Sequence, residues 1–366
     1  MKINCLIQNL KDAVQIAERN TSKNQTLPIL NSVLIDADGG KIKIKATNLE
    51  TAVEINIPGK VEDGGNVAIL AKTLSLFLSS LKDDRVILES KKNNLFIKTK
   101  TAQTTIRGFI SEDFPLFPKI DAVEIFSLPA NELRSAISSV AIAVSTSDIK
   151  PELSSVLFKV FKNTVKLVAT DSFRLAEKTI VSKNISAEKL VSFLIPQKSV
   201  QEILKIIEND DIKFGFNKNQ IILYNNNIKF ISRLTEGIFP DYEQILPKEF
   251  KISAIADKAD VISNLKTAGI FTGKLNDLNM SFNSDKKSIS FQTSNQDIGE
   301  HFSEIKTTIA GGDTMIKFNW RYILDGVSQI NQEYVVFDLN NSESPLLIHG
   351  KGDGSYVYLV MPMRGV

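Results

Sequence analysis

Apolar residues recur along this chain with two periods that take turns. "KIKIKA" (Lys41–Ala46) and "VILESKKNNLFIKTKT" (Val86–Thr101) place them at nearly every second position, as a strand with one buried face requires. Elsewhere they return every third or fourth residue, as at Leu10, Val14 and Ala17 or Leu74, Leu78 and Leu81, which is the stripe of an amphipathic helix. This spacing predicts helices near Gln8–Arg19, Ala71–Leu81, Asn131–Val144, Gln197–Glu208, Lys258–Ala268 and Trp320–Ile330. In the middle pair, Leu133, Ile137 and Val140, and Val200, Ile203 and Ile207, face inward. Gly39–Gly40 and Asn93–Asn94 supply the positive-φ residues of hairpin turns.

The pattern repeats. "PILNSVLIDADGGKIKIKATN" (Pro28–Asn48) and "PELSSVLFKVFKNTVKLVATD" (Pro151–Asp171) align without a gap at an offset of 123, with eight of 21 positions identical. A weaker third copy, "MSFNSDKKSISFQTSN", keeps its apolar alternation at Met280, Phe282, Ile289 and Phe291. Three copies of a helix-and-strands unit follow, an α+β fold of antiparallel sheets with the helices on one side. The domains are expected at 1–122, 123–248 and 249–366.

Composition narrows the class. At 366 residues, 43% hydrophobic and 23% charged, the chain is an ordinary globular one. No apolar run reaches the ~18–20 residues of a membrane span, and the amino end shows no basic start followed by an apolar stretch. A lone cysteine, Cys5, cannot form an internal disulfide and suits a reducing compartment; the expected location is the cytoplasm. Forty-four basic against 42 acidic residues leave a net charge of +2. Any nucleic-acid contact therefore needs positive charge segregated onto one surface.

Chemistry is hard to find. His301 and His349 stand apart without a partner motif, and there is no HExxH, paired CxxC or phosphate-binding GxxxxGK. The glycine-rich "GGDT" (Gly311–Thr314) and "GKGDG" (Gly350–Gly354) read as hairpin turns, and Asp83–Asp84 as a solvated turn. No cofactor and no metal are expected. A repeated scaffold of this kind points to binding or architecture.

The end of the chain, "YLVMPMRGV" (Tyr358–Val366), is unusually apolar for a terminus. Tyr358 and Val360 suit the inward side of a last strand. Pro362 interrupts a strand ladder, so Met361–Met363 either pack against the fold or bind something.

That tail, with "ATDSFRLA" (Ala169–Ala176), "FPDYEQILP" (Phe239–Pro247), "TLPIL" (Thr26–Leu30) and the threefold repeat, resembles the bacterial DNA polymerase sliding clamp, the beta subunit of the polymerase III holoenzyme, over the whole length. The resemblance implies a head-to-tail homodimeric ring with helices lining a hole around duplex DNA. It implies no catalytic site of its own, and partners that include the replicative polymerase, the clamp loader, and other polymerases and repair proteins carrying clamp-binding peptides; no membrane is involved. Carried over residue by residue, the peptide groove would be Leu153, Thr170, Ser172, Phe173, Arg174, Leu175, Pro240, Ile245, Leu359, Val360, Met361, Pro362, Met363 and Arg364. DNA-facing charges would be Lys11, Arg19, Lys72, Arg134, Lys198, Lys205, Lys266 and Arg321 on the predicted helices. Ile270 and Phe271 would meet a partner subunit near Lys72 and Ile106. Ser172–Phe173 stands where Gly–His is common and Gln244 where arginine is common, so peptide preference is expected to differ. Asn24 with Lys23, and Pro151–Glu152, also depart from the family pattern at two loops expected near DNA. Two other classes stay open: a nucleic-acid adaptor working as an open monomer, and an enzyme with an unrecognised site. Solution mass tests the first and turnover lost on mutating either histidine the second.

Overall fold

The computed structural model describes residues 1–22, 26–117, 123–185, 187–207 and 210–363. Its helices are α1 (Ile7–Arg19), α2 (Ala71–Ser80), α3 (Ala130–Ala141), α4 (Gln197–Ile206), α5 (Lys258–Ile270) and α6 (Trp320–Ser328). Each stands within two or three residues of the span that the apolar stripe predicts. Leu10, Val14, Leu74, Leu78, Leu133, Ile137, Val200 and Ile203 are all fully buried. Two starts are capped by side chains: Asp257 accepts from Asp260 N and Asn319 from Arg321 N, both at 3.0 Å.

The first repeat contributes β1 (Lys2–Leu6), β2 (Ser32–Asp38), β3 (Lys41–Thr47), β4 (Thr51–Ile57), β5 (Gly59–Asp63), β6 (Gly65–Leu70), β7 (Arg85–Lys91), β8 (Asn94–Lys98) and β9 (Gln103–Phe109). The second adds β10 (Val123–Leu128), β11 (Ser155–Lys162), β12 (Thr164–Thr170), β13 (Arg174–Val181), β14 (Ala187–Pro196), β15 (Ile212–Phe216), β16 (Gln220–Tyr224) and β17 (Ile228–Arg233). The third holds β18 (Ile252–Asp257), β19 (Asp277–Asn283), β20 (Ser288–Asn295), β21 (Gly299–Lys306), β22 (Thr308–Ala310), β23 (Thr314–Asn319), β24 (Tyr334–Leu339), β25 (Leu346–Gly350) and β26 (Asp353–Val360).

By contact the chain divides into two compact units, 1–131 with 201–234, and 132–200 with 235–366. The central repeat is shared between them. In the first unit β17 pairs with β4, so β10 and β15–β17 extend the sheet of the first repeat to thirteen strands. In the second unit β13 pairs with β26, joining β11–β14 to the third repeat in a sheet of nine. A four-stranded sheet, ordered β21-β20-β19-β23, completes that unit. Every pairing is antiparallel, and α1 packs on α2 and α5 on α6.

The repeat extends to side-chain bonding in one turn. In the first copy Thr47 Oγ1 donates to Thr51 O at 2.7 Å, Leu49 N donates to Thr47 Oγ1, and Asn48 Oδ1 accepts from Glu50 N and Thr51 N. In the second Thr170 Oγ1 donates to Arg174 O at 2.7 Å, Ser172 N donates to Thr170 Oγ1, and Asp171 Oδ1 accepts from Phe173 N and Arg174 N. Both turns force a non-glycine residue to positive φ, Leu49 at 75° and Ser172 at 78°.

Two of four turns differ in detail from their sequence reading. Gly39–Gly40 makes the expected hairpin with φ of 55° and 76°. The loop between β7 and β8 is Lys92–Asn93, with the positive φ at Lys92, because the buried sets Val86/Leu88 and Leu95/Ile97 fix a register that pairs Lys91 with Asn94. "GGDT" is no hairpin: it leads from β22, in the nine-stranded sheet, to β23, in the four-stranded one. A Cβ at Gly311, whose φ is 108°, would meet Lys251 O. "GKGDG" does close a hairpin, between β25 and β26, with Gly352 at φ 76°. Cys5 is buried in β1, and burial pushes its thiol up to about 12.

Candidate peptide-binding site

The tail divides at Val360. Tyr358, Leu359 and Val360 are buried at the end of β26, which lies between β13 and β25. Beyond them the chain leaves the ladder but stays tied down. Met361 N donates to Phe173 O and Met363 N to Lys317 O, both at 2.8 Å. Pro362, lacking an N–H, sits between these two bonds at no cost in donors.

This path opens a pocket of about 480 Å³. Ser172 and Phe173 of the positive-φ turn form one wall, Asn319 and Tyr322 at the start of α6 another, and Met361, Pro362 and Met363 the third. Phe173 is exposed and Met361 partly so. A concave, mostly apolar site rimmed by a few polar groups suits a small ligand or an extended peptide, and thioethers adapt to more than one side-chain shape.

Five of the fourteen groove residues read from the sequence thus line one pocket. Leu153, Thr170, Leu175, Leu359 and Val360 are instead buried. Leu175 and Leu359 belong to a cluster with Leu157, Val168, Leu194, Tyr242 and Leu347. Pro240 and Ile245 are exposed on the segment Phe239–Phe250 that covers this cluster, and Gln244 there donates to Asp241 at 2.7 Å. Arg364 lies outside the described residues, as do Lys23 and Asn24. Asn319 and Tyr322 were missed. Their signal was faint: Tyr322 sits beside the inward Ile323 on a stripe whose polar flank carries no motif.

Arg174 does something other than reach for a ligand. Its Nε donates to Asp171 at 2.9 Å, its Nη1 to Asp325 on α6 at 2.5 Å, and its guanidinium stacks 4.4 Å from the Tyr322 ring centroid. Two carboxylates take up its charge. Beneath the cluster, Glu177 on β13 is buried with Oε1 on Lys166 Nζ at 3.0 Å and Oε2 accepting from the Tyr242 hydroxyl at 2.6 Å. Burial, then this bond, pushes the Tyr242 phenol far above its ordinary range. Lys159 lies 5.5 Å over the Tyr242 ring and pairs with Glu243 at 2.7 Å.

Of the basic residues singled out, Lys11 is half-buried and Arg19, Lys72, Arg134, Lys198, Lys205, Lys266 and Arg321 are exposed. Arg19 and Lys205 both pair with Glu202, at 3.1 and 2.7 Å. Arg321 stacks on Trp320 and donates to Asn276 Oδ1 at 3.1 Å. Ile270 is exposed at the end of α5, whereas Phe271 stacks on His301 with ring centroids 5.5 Å apart. Ile106 is buried in β9. No group of three or more metal-ligating side chains occurs among the described residues. No helix there is long and apolar enough to cross a membrane.

Comparison with known proteins agrees with the repeat. Family models for the N-terminal, central and C-terminal domains of the DNA polymerase III beta subunit match residues 1–118, 127–241 and 243–364 in that order. The beta sliding clamp of Staphylococcus aureus is 27% identical over 379 aligned positions, covering 100% of this chain and 98% of that protein. That of Synechocystis is 25% identical, covering 100% and 99%. The sliding clamp structure from Bacillus subtilis superposes with a TM-score of 0.95 at 24% identity over 100% of both chains. A Pseudomonas aeruginosa sliding clamp, solved bound to griselimycin, gives 0.94 at 25% over 100% of both. The class is that of clamp proteins, built by repeating one α+β unit. Within it, the chain belongs to the DNA polymerase III beta-subunit family: it is a sliding clamp, a processivity factor rather than an enzyme.

Proposed function

We propose that two copies of this chain, each contributing three domains, join head to tail into a ring around duplex DNA. In this reading the pocket at the tail holds short peptides of the replicative polymerase, the clamp loader and repair proteins. The observation that carries the partner role is the pocket itself: an apolar recess built from the tail, a strained turn and a helix, all tethered by backbone bonds. Preformed walls reduce the ordering entropy that binding a flexible peptide must overcome. Griselimycin, to which a Pseudomonas aeruginosa clamp is bound, would enter this recess here.

Dimer closure is supported by the edge of the four-stranded sheet. Among the described residues β21 is an edge strand paired with β20 alone, and α5 packs against it. Ile270 and Phe302 are each 64% exposed at these two elements. An open strand edge with apolar neighbours is a liability unless something covers it, and a second subunit would do so. The exposed lysines Lys72, Lys198 and Lys266 fit a helix surface that attracts phosphates diffusely, which holds a duplex without pinning it to one sequence.

The test is retention on a nicked circular plasmid after loading by the cognate clamp loader, followed by a single cut. Encirclement predicts that the protein stays on the circle and runs off the linear form. Equal retention on linear DNA with free ends would mean binding by contact, and the ring would be wrong.

A further inference from the structure

The second repeat differs from the first at the one turn the two copies share. Asn48 and Thr51 close that turn in the first copy without charge. Asp171 and Arg174 close it in the second with the same backbone bonds. The charges are therefore unnecessary for the turn itself. What they add is a line of contacts leading away from it: Asp171 Oδ2 to Arg174 Nε at 2.9 Å, and Arg174 Nη1 to Asp325 Oδ2 at 2.5 Å. The second copy carries the pocket on its turn, at Ser172 and Phe173.

We propose that Asp325 is a positioning residue for ligand binding, acting through the Asp171–Arg174–Asp325 brace to hold α6 and the Ser172–Phe173 turn apart at the spacing the pocket requires. This rests on the reading of the pocket as a peptide site. Asp325 stands one helical turn from Tyr322, so fixing its carboxylate fixes the face of α6 that forms the wall. The Tyr322 ring is held on the guanidinium face, 4.4 Å from it, so the brace sets the wall's height as well. Arg174 is largely covered while the Asp325 side chain is 42% exposed. The carboxylate thus reaches in from the rim, is not itself a residue of the pocket wall, and acts on the ligand through Arg174. A planar guanidinium bonded to two carboxylates through two of its nitrogens fixes direction as well as distance, which a lysine could not do.

The experiment uses the full-length protein and griselimycin as the probe, with affinity from calorimetry, stability from melting temperature, and the emission of Trp320 as reporter. Trp320 is the only tryptophan of the chain and opens α6. Asp325→Asn is expected to weaken binding at least about tenfold, the scale of a lost charge-assisted bond, and to shift the Trp320 emission of the free protein. Asp171→Asn is the second variant, because Asn48 shows that the amide closes this turn; it is expected to weaken binding in the same direction with the melting temperature kept. Wild-type protein binding griselimycin with both variants equal to it would overturn the inference and leave the pocket standing. Failure of the wild type to bind would overturn the pocket reading, and the inference with it.

Discussion

At the residue scale, two polar contacts are placed where a change should be felt. Glu177 has two partners, Lys166 and the Tyr242 hydroxyl. Replacing Tyr242 with phenylalanine leaves the carboxylate half-satisfied in an apolar cluster, and should cost about 2 kcal/mol of stability, read as a lower urea midpoint. His349 is held by Asp338 at 2.9 Å and by Gly350 O at 3.0 Å. The bond to Asp338 raises the imidazole above its ordinary value of about 6.5. A raised value means that the folded state favours the protonated ring. The stabilisation is therefore complete below about pH 6.5 and fades as pH climbs through the higher value of the folded protein. The gap in melting temperature between wild type and His349→Gln should be widest near pH 6 and should narrow above it. A gap independent of pH would remove the ion pair from the account.

At the element scale, the chain uses β-strand ends as fixed points and hangs functional pieces beyond them. β26 is anchored on both sides by β13 and β25, and three residues past its end the tail still keeps two backbone bonds. The segment Phe239–Phe250 is held over the outer cluster by Tyr242. The end of α5 presents Ile270 to solvent, and α5 packs on β21, the edge strand of its sheet among the described residues. Ile270→Ala with Phe271→Ala should yield particles of 40.6 kDa, against twice that mass for the wild type, in light scattering. Because Phe271 already stacks on His301, the exposed Ile270 is expected to account for most of the effect. An unchanged dimer mass would remove this edge from the interface.

At the scale of the whole molecule, the proposed ring would let topology replace affinity. A ring that encircles DNA does not need strong contacts, and strong ones would slow it. That fits the charge pattern: Arg19 and Lys205 share Glu202, and Arg321 leans on Trp320 and Asn276. These cations are moderated by neighbours within the protein. In the plasmid assay, retention on the closed circle should therefore survive a rise from 50 to roughly 200 mM salt, whereas contact binding would fall by orders of magnitude over that range.

Period and repeat were legible in the sequence because each depends on residues near one another along the chain. Alternation located strands, three- and four-residue spacing located six helices, and the 123-residue offset revealed the copied unit; that its turns are bonded alike around Asn48 and Asp171 appeared only in the fold. The tail, too, showed at Pro362 that the last strand could not run on to the end. Only the folded chain decided which partners met. Nothing local shows that β17 would pair with β4 and β13 with β26, dividing the central repeat between two sheets. Nor could spacing place Tyr322 and Asn319 opposite Phe173, bury Leu175 and Leu359 beneath the groove residues, or turn Arg174 from a free cation into a brace between Asp171 and Asp325. A pocket and an ion pair depend on distances in space, and in this chain 151 residues separate Arg174 from Asp325.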